Sequence, residues 1–464
     1  MRYADHLIRH GLVEYNLGEK SDGITSQVHF WIMTGISFIF GNTIDVWKLS
    51  TSLIYALAIA LAFLSFKLLG TTSFTAATCA VFLSFEPHLL RWSGTGMENS
   101  LFACTFCALL FFHVSKNDNT RQNIFSGSLL GLAAGVRPEL LLFSIFYISI
   151  ALATRRPGAK ILLAAAIVAT LLVAGTNYLA TGFALPQTSA AKSIFLARPF
   201  RLATLMPIPL IIASGSSISI ILIAKWIAKS REFTHWVSAV VAYVAFVIAY
   251  LFYTHALIST RYATSLSFPL LLSALYGICS FGELGSRSSA LTKAFLIIQA
   301  FVSAVVLWYF FPFTRVSEQD EIKRFSLRTN EITAQSDRVA LTEIGIFGFY
   351  SNRYIIDLVG LTDPQTVAWG RANGRPDTIQ ALERLLKFRR ATYYVCTFCQ
   401  TENDLQGREV EFVPVYSQKI LRGNGSGGRK IDTSLWVLYK IKYRSNALRE
   451  SLLRQTDHPK PPEA

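Results

Sequence analysis

Long apolar stretches alternate with short polar connections along the first 312 residues. Eight of them approach the roughly 20 residues that cross a bilayer as a helix: 47–68, 72–89, 99–115, 160–178, 205–225, 233–254, 262–281 and 291–312. The stretch 123–154 is too long for one helix and contains Arg137-Pro138. A proline ends helical hydrogen bonding and an arginine inside an apolar run is costly, so this stretch predicts two shorter helices meeting at a turn. The pattern therefore predicts ten crossings. The apolar run 28–41 is shorter and predicts an interfacial or re-entrant helix.

The pattern changes after residue 312. Strand-like runs occur at 338–341, 354–358, 392–396, 410–415 and 434–442. Between them, 376–389 carries Ile379, Leu382, Leu385 and Leu386 at helical spacing. Gly423, Gly425, Gly427 and Gly428 mark a loop. These features predict a small α/β domain over 313–445, followed by a charged, proline-rich tail over 446–464 that is expected to be disordered. The predicted organisation is a first loop with an interfacial helix (1–45), a transmembrane domain (46–312), the α/β domain and the tail.

Composition supports this division. Hydrophobic residues make up 52% of the 464 and charged residues only 16%, against about a quarter in soluble domains. A soluble single-domain enzyme is excluded. The net charge is +15, but no basic cluster interleaved with aromatics lies on a soluble segment, so nucleic acid is not an expected partner. Excess Lys and Arg instead mark cytoplasmic loops and lipid headgroup contacts. Lys67; Lys116 and Arg121; Arg155, Arg156 and Lys160; Lys225, Lys229 and Arg231; and Arg287 and Lys293 fall in alternate loops. Those loops are expected on the cytoplasmic side. The loops holding Glu98, Arg137, Lys192 and Arg261, together with the first 45 residues and the α/β domain, are expected on the other side. An outward first segment with no span before it leads to the expectation that one N-terminal helix is absent from the chain.

Six cysteines are too few for a disulfide framework. Cys79, Cys104, Cys107 and Cys279 lie in apolar runs. Cys396 and Cys399 have no second pair, which argues against zinc and leaves a redox pair or local disulfide open. The eight histidines show no metal-site spacing.

Chemistry is expected on the outer face, because ionisable groups are costly near a membrane. Glu98 follows the turn Ser93-Gly94-Thr95-Gly96 at the head of an apolar run. It is either a helix cap or a catalytic carboxylate that takes a proton from an attacking hydroxyl. Arg137, Lys192 and Arg261 supply cations on the same face, suited to offsetting phosphate charge. Each arginine can instead snorkel to headgroups.

Four segments resemble one family in order and spacing. They are Arg2-Tyr3-Ala4 with Tyr15-Asn16, Gly18-Glu19 and Asp22-Gly23; Trp92-Ser93-Gly94 with Met97-Glu98; Gly127 and Gly131 with Arg137-Pro138-Glu139; and Ile356-Asp357-Leu358-Val359-Gly360-Leu361-Thr362-Asp363. Together they resemble the bacterial GT-C glycosyltransferases that use polyprenyl-phosphate sugars, the arabinofuranosyltransferase-like and mannosyltransferase-like members above all. In that family an acidic pair precedes the Arg-Tyr-Ala run, and the sequence here begins at Met1-Arg2-Tyr3.

The resemblance implies an α-helical polytopic membrane protein of the bacterial plasma membrane. It implies sugar transfer from a polyprenyl-phosphate carrier to a hydroxyl on a glycan, lipid or protein acceptor, with this chain expected to be inactive if the first helix is missing. Glu98 is the expected catalytic carboxylate. Arg137, Lys192, Arg261 and Tyr262 are expected around the carrier, with Tyr3 and Asp22 on the acceptor side. No cofactor beyond the lipid-linked donor and no metal ligand set is expected. Two other readings are a flippase of lipid-linked glycans and a non-catalytic envelope-assembly protein. A transporter would show repeated broken helices, and only the Arg137-Pro138 break is visible.

Overall fold

The computed structural model describes residues 1–115, 119–184, 231–253, 260–281, 301, 303–305, 315–402, 405–423 and 431–444, with 186, 188, 191 and 194. A short amphipathic helix α1 (Arg2–His10) ends at Gly11 and leads through a loop into α2 (Gln27–Phe40). The membrane helices follow: α3 (Ile44–Leu68), α4 (Ser73–Ser84), α5 (Pro87–Ser93), α6 (Asn99–Val114), α7 (Thr120–Val136), α8 (Leu140–Ala153), α9 (Ala159–Thr181), α10 (Arg231–Tyr253) and α11 (Thr260–Phe281).

Three described helices are long and apolar enough to cross a membrane: Ile44–Leu68, Ala159–Thr181 and the window Glu232–Ala249. Gln27–Phe40, Ser73–Ser84, Asn99–Val114, Leu140–Ala153 and Thr264–Ser280 are shorter apolar helices. The expected span 205–225 and most of 291–312 lie outside the described residues.

One expected span is corrected. The run 72–89 is not a single helix but breaks at Phe85-Glu86. Pro87 occupies the first turn of α5, where a missing N–H costs nothing. The Glu86 carboxylate accepts from the Leu89 N–H at 2.5 Å and from Ser267 Oγ at 2.7 Å. The expected break at Arg137-Pro138 is present: Arg137 is extended (φ −152°, ψ 131°), as the residue before a proline prefers.

Helices α7 and α9 touch backbone to backbone. A Cβ on Gly131 would lie 2.3 Å from the Ala166 carbonyl oxygen. A glycine there allows the close packing on which membrane helices rely when water supplies no drive between them.

The C-terminal part contains α12 (Arg315–Ile332), β1 (Arg338–Leu341), α13 (Ile344–Ser351), β2 (Tyr354–Asp357), α14 (Pro364–Asn373), α15 (Ile379–Phe388), β3 (Tyr393–Cys399), β4 (Val410–Gly423) and β5 (Ile431–Tyr443). The strands form one mixed sheet in the order β2-β1-β3-β5-β4. β1 is parallel to β2 and β3, while β5 runs antiparallel to β3 and β4. One sheet face packs with α14 and α15 residues through Trp369, Leu385 and Leu386.

The other face is shared with the start of the chain. Tyr3, Val13, Tyr15, Ile24 and Phe30 lie in one cluster with Phe325, Val339, Phe347, Ile355, Trp436 and Leu438. Segments that share an apolar core cannot be separated by a bilayer, so the first loop and the α/β domain lie on the same side.

Polar contacts lock this docking. The Arg2 guanidinium donates to the carbonyls of Tyr15 (2.6 Å), Gly348 (2.5 Å) and Arg353 (2.6 Å). The Asn16 side-chain amide donates to the Ile355 carbonyl at 2.8 Å and accepts from the Ile355 N–H at 2.9 Å. It thereby occupies the open edge of β2 as a neighbouring strand would. Replacing Asn16 with Ala leaves two strand-edge groups without partners and should cost about 1–3 kcal/mol. Thermal unfolding in detergent, together with proteolysis of the first loop, measures this. Unchanged melting and unchanged cleavage would show that Asn16 does not hold the edge.

Candidate functional site

The helix ends gather chemistry at the end of the bundle nearest the α/β domain. Glu98 stands at the N-terminus of α6 and is 5% exposed. It occupies the cap position, yet its side chain makes no capping hydrogen bond, unlike Glu86 on α5. Its oxygen lies 3.9 Å from the Arg137 guanidinium. Arg137, also buried, sits at the α7–α8 break and pairs through Nε with Glu139 at 2.7 Å. Glu139 accepts from Ser265 Oγ at 3.3 Å, and Asn99 donates to Thr264 Oγ1 at 3.2 Å. One arginine is thus held between two carboxylates, with hydroxyls of α11 closing the group.

The first loop lies beside this end. His29 of α2 reaches the Gly96 carbonyl with Nε2 at 3.2 Å, and the Gly96 N–H donates to Thr51. Asp22 is fully buried. Its Oδ2 accepts from Asn177 of α9 at 2.7 Å and its Oδ1 from the Ile24 N–H at 3.1 Å. Burial raises its pKa, and these two hydrogen bonds pull it back down. Tyr3 accepts from the Gly23 N–H at 2.9 Å and meets Ser21 Oγ at 3.1 Å. Desolvation raises its pKa as well.

Tyr3 and Asp22 hydrogen-bond within the loop and to α9, while Glu98 and Arg137 lie 3.9 Å apart. Lys192 lies outside the described residues. Arg261 and Tyr262 fall in the first turn of α11, one turn before Ser265, and their side chains lie outside the described set.

The loop also grips the domain. A Cβ on Gly23 would lie 2.6 Å from Thr362 Cγ2 and 2.9 Å from the Leu361 carbonyl oxygen, so only glycine fits between them. Thr362 in turn donates through N and Oγ1 to Asp357, at 2.9 and 3.1 Å. Burial pushes Asp357 up to about 6 against these bonds. Beyond Thr362, Asp363 pairs with Arg389 at 2.8 Å.

Sequence reasoning missed Glu139, Ser265 and Asn177 as site members. Glu139 was readable as the third residue of Arg137-Pro138-Glu139; the other two meet their partners only through the fold. Cys396 and Cys399 are joined by a disulfide within β3. Among the described residues no group of three or more His, Cys, Asp or Glu side chains gathers as a metal ion requires.

Comparison with known proteins adds two family matches. Residues 25–179 match the dolichyl-phosphate-mannose-protein mannosyltransferase family. Residues 314–440 match a domain of unknown function (DUF8728). No curated protein matches the chain.

Among solved structures, ArnT from Cupriavidus metallidurans bound to undecaprenyl phosphate is similar, with a TM-score of 0.56 at 11% identity over 96% of this chain and 93% of that one. Its apo state gives 0.52 at 12% identity over 94% and 92%. An Archaeoglobus fulgidus oligosaccharyltransferase tethered to an acceptor peptide gives 0.49 at 12% identity, over 85% of this chain and 64% of that one. The chain has the fold of the GT-C glycosyltransferases, and over residues 25–179 it is similar to the dolichyl-phosphate-mannose-protein mannosyltransferase family.

Proposed function

We propose that this protein transfers a sugar from a polyprenyl-phosphate carrier to a hydroxyl acceptor on the outer face of a bacterial plasma membrane. The observation that carries the proposal is Glu98, a buried carboxylate at a helix start that does no capping and is aligned by Arg137. The fold likeness to an undecaprenyl-phosphate-bound structure supports a lipid-linked donor.

In the proposed reaction the acceptor oxygen attacks the anomeric carbon and Glu98 takes the hydroxyl proton. The bond from the anomeric carbon to the phosphate oxygen breaks, and its electrons leave with the polyprenyl phosphate. A single displacement of this kind inverts the anomeric centre. Lys192 and Arg261 are assigned to the carrier phosphate, with Tyr262 beside it. Arg137 is assigned to positioning Glu98, because two carboxylates already claim it.

The alternating basic loops favour an outer site. The Cys396–Cys399 disulfide also favours an oxidising compartment for the α/β domain. The test uses protein reconstituted in lipid with synthetic polyprenyl-phosphate sugars and a panel of glycan, lipid and peptide acceptors. Release of polyprenyl phosphate matched by a new glycoside is the expected result. Movement of intact carrier across the bilayer with no new glycoside would establish the flippase reading instead. For sidedness, a cysteine introduced at the exposed position 94, in the loop that leads to Glu98, should react with an impermeant reagent in intact cells and one at 229 should not; labelling at 229 would overturn the topology.

A further inference from the structure

A second concave site lies away from Glu98. It is a cavity of about 650 Å³, within the roughly 300–1,000 Å³ that small-molecule sites occupy. The turn after Asn16 forms one wall and the α/β domain the rest. None of the described lining residues comes from the membrane helices, which points to a ligand presented from the water side.

The cavity is polar and cationic. Arg338, Arg389 and Arg390 line it, with Glu19, Tyr354 and the rim residue Phe388. Arg389 is 1% exposed and held by Asp363 at 2.8 Å, by Glu19 at 3.3 Å and by the Tyr354 hydroxyl at 3.2 Å. Tyr354 donates to Glu19 at 2.6 Å, and desolvation raises its pKa to about 12, so it stays a neutral donor.

Arg338 is different. Its guanidinium carbon lies over the Tyr354 ring, 4.3 Å from the centroid. Its Nε is buried without an acceptor, and no carboxylate among the described residues pairs with it. A half-buried guanidinium set over an aromatic ring, with its charge uncompensated, is pre-organised for a carboxylate or phosphate. The hydroxyl, carboxylate and amide groups around it suit sugar hydroxyls.

We infer that this cavity binds an anionic saccharide, a sugar bearing a carboxylate or phosphate, with Arg338 as the anion contact. The inference rests on the glycosyltransferase reading only in what the saccharide is for: it is the part of the acceptor held away from the reacting hydroxyl. The cavity adjoins the first loop through few residues. Asp363, which fixes Arg389, follows Thr362, which packs on Gly23 beside Asp22.

The test is calorimetric titration of the full-length protein in detergent, without donor, using glucuronic acid, glucose 6-phosphate, glucose and inorganic phosphate. One anionic sugar or both should bind at least about 10-fold more tightly than glucose, and the preferred one identifies the anion. Arg338→Met, which keeps the apolar stem on Tyr354, should weaken that binding about 10- to 100-fold, the value of a hydrogen-bonded charge.

Equal binding of glucose and both anionic sugars overturns the proposal without recourse to any variant. Unchanged affinity in a folded Arg338→Met protein does so too. Inorganic phosphate binding as tightly as the preferred sugar overturns the saccharide part. The same titration on the Glu98→Gln protein should be unaltered. Failure of sugar transfer and failure of this cavity to bind are therefore separate results.

Discussion

Glu98→Gln should lower the rate of sugar transfer by about 10²–10⁴-fold, the usual loss when a general base is removed, while the protein still folds. Glutamine preserves side-chain volume at a position that is 5% exposed. Helix α6 loses no capping hydrogen bond, because the carboxylate makes none. Arg137 keeps its 2.7 Å contact with Glu139. The stability change should therefore stay below about 1 kcal/mol, the upper range for an acid in a first helical turn. Single-turnover transfer with saturating donor, beside thermal unfolding of the same preparation, separates the two effects. Transfer within a few fold of the unsubstituted protein would remove Glu98 from the chemistry and leave it an electrostatic neighbour of the α6 terminus.

Arg137→Met should be the most destabilising single change at the site, by about 3–5 kcal/mol, because it leaves the buried Glu98 and the partly buried Glu139 without their cation. Glu98 and Glu139 both face Arg137, at 3.9 and 2.7 Å. Without it they repel each other in a medium that screens poorly. A second change separates this from a role on the substrate. In Arg137→Met/Glu139→Gln one uncompensated charge is gone, so much of the lost stability should return. Transfer should remain low in the double variant, since Glu98 has lost the group that fixes it. Detergent unfolding of the single variant at the unsubstituted temperature would refute the bracing role. Full transfer by a folded double variant would refute the positioning role.

The described apolar helices outside 72–89 and the strands were legible because each is an apolar run bounded by polar residues. Strands 338–341 and 354–358 were visible as short apolar runs between polar turns, and the structure places them within a residue. Helix α12 was not visible: Arg315–Ile332 is mostly polar and lacks the apolar stripe that announces a helix. The break inside 72–89 was readable from Glu86-Pro87, an acid cap and a first-turn proline, but the apolar residues on either side masked it.

The site divides in the same way. Glu98 and Arg137 stood out because charge is rare in apolar sequence. Ser265 is an ordinary residue whose meaning comes from Glu139, 126 positions earlier. Asn16 gives no local hint that it will act as a piece of strand for Ile355, 339 positions later. Tyr3 and Asp22 were noticed for their polarity, and the fold spends that polarity on holding the loop.

The core shared by Tyr3 and Ala4 with Trp436 and Leu438 joins residues more than 400 positions apart. Ribosomes add roughly 5–20 residues each second, so the first partner waits on the order of 20–90 s for the last. During that interval the apolar faces of Tyr3, Ile24 and Phe30 have no sheet to cover them. The early segment is then at its most exposed to proteases and to chance association with other nascent chains. The final strands, β4 and β5, close the interval. A ribosome that stalls before Trp436 would leave a bundle already inserted and a first loop still open, a species that quality control can distinguish from the finished protein by that uncovered surface.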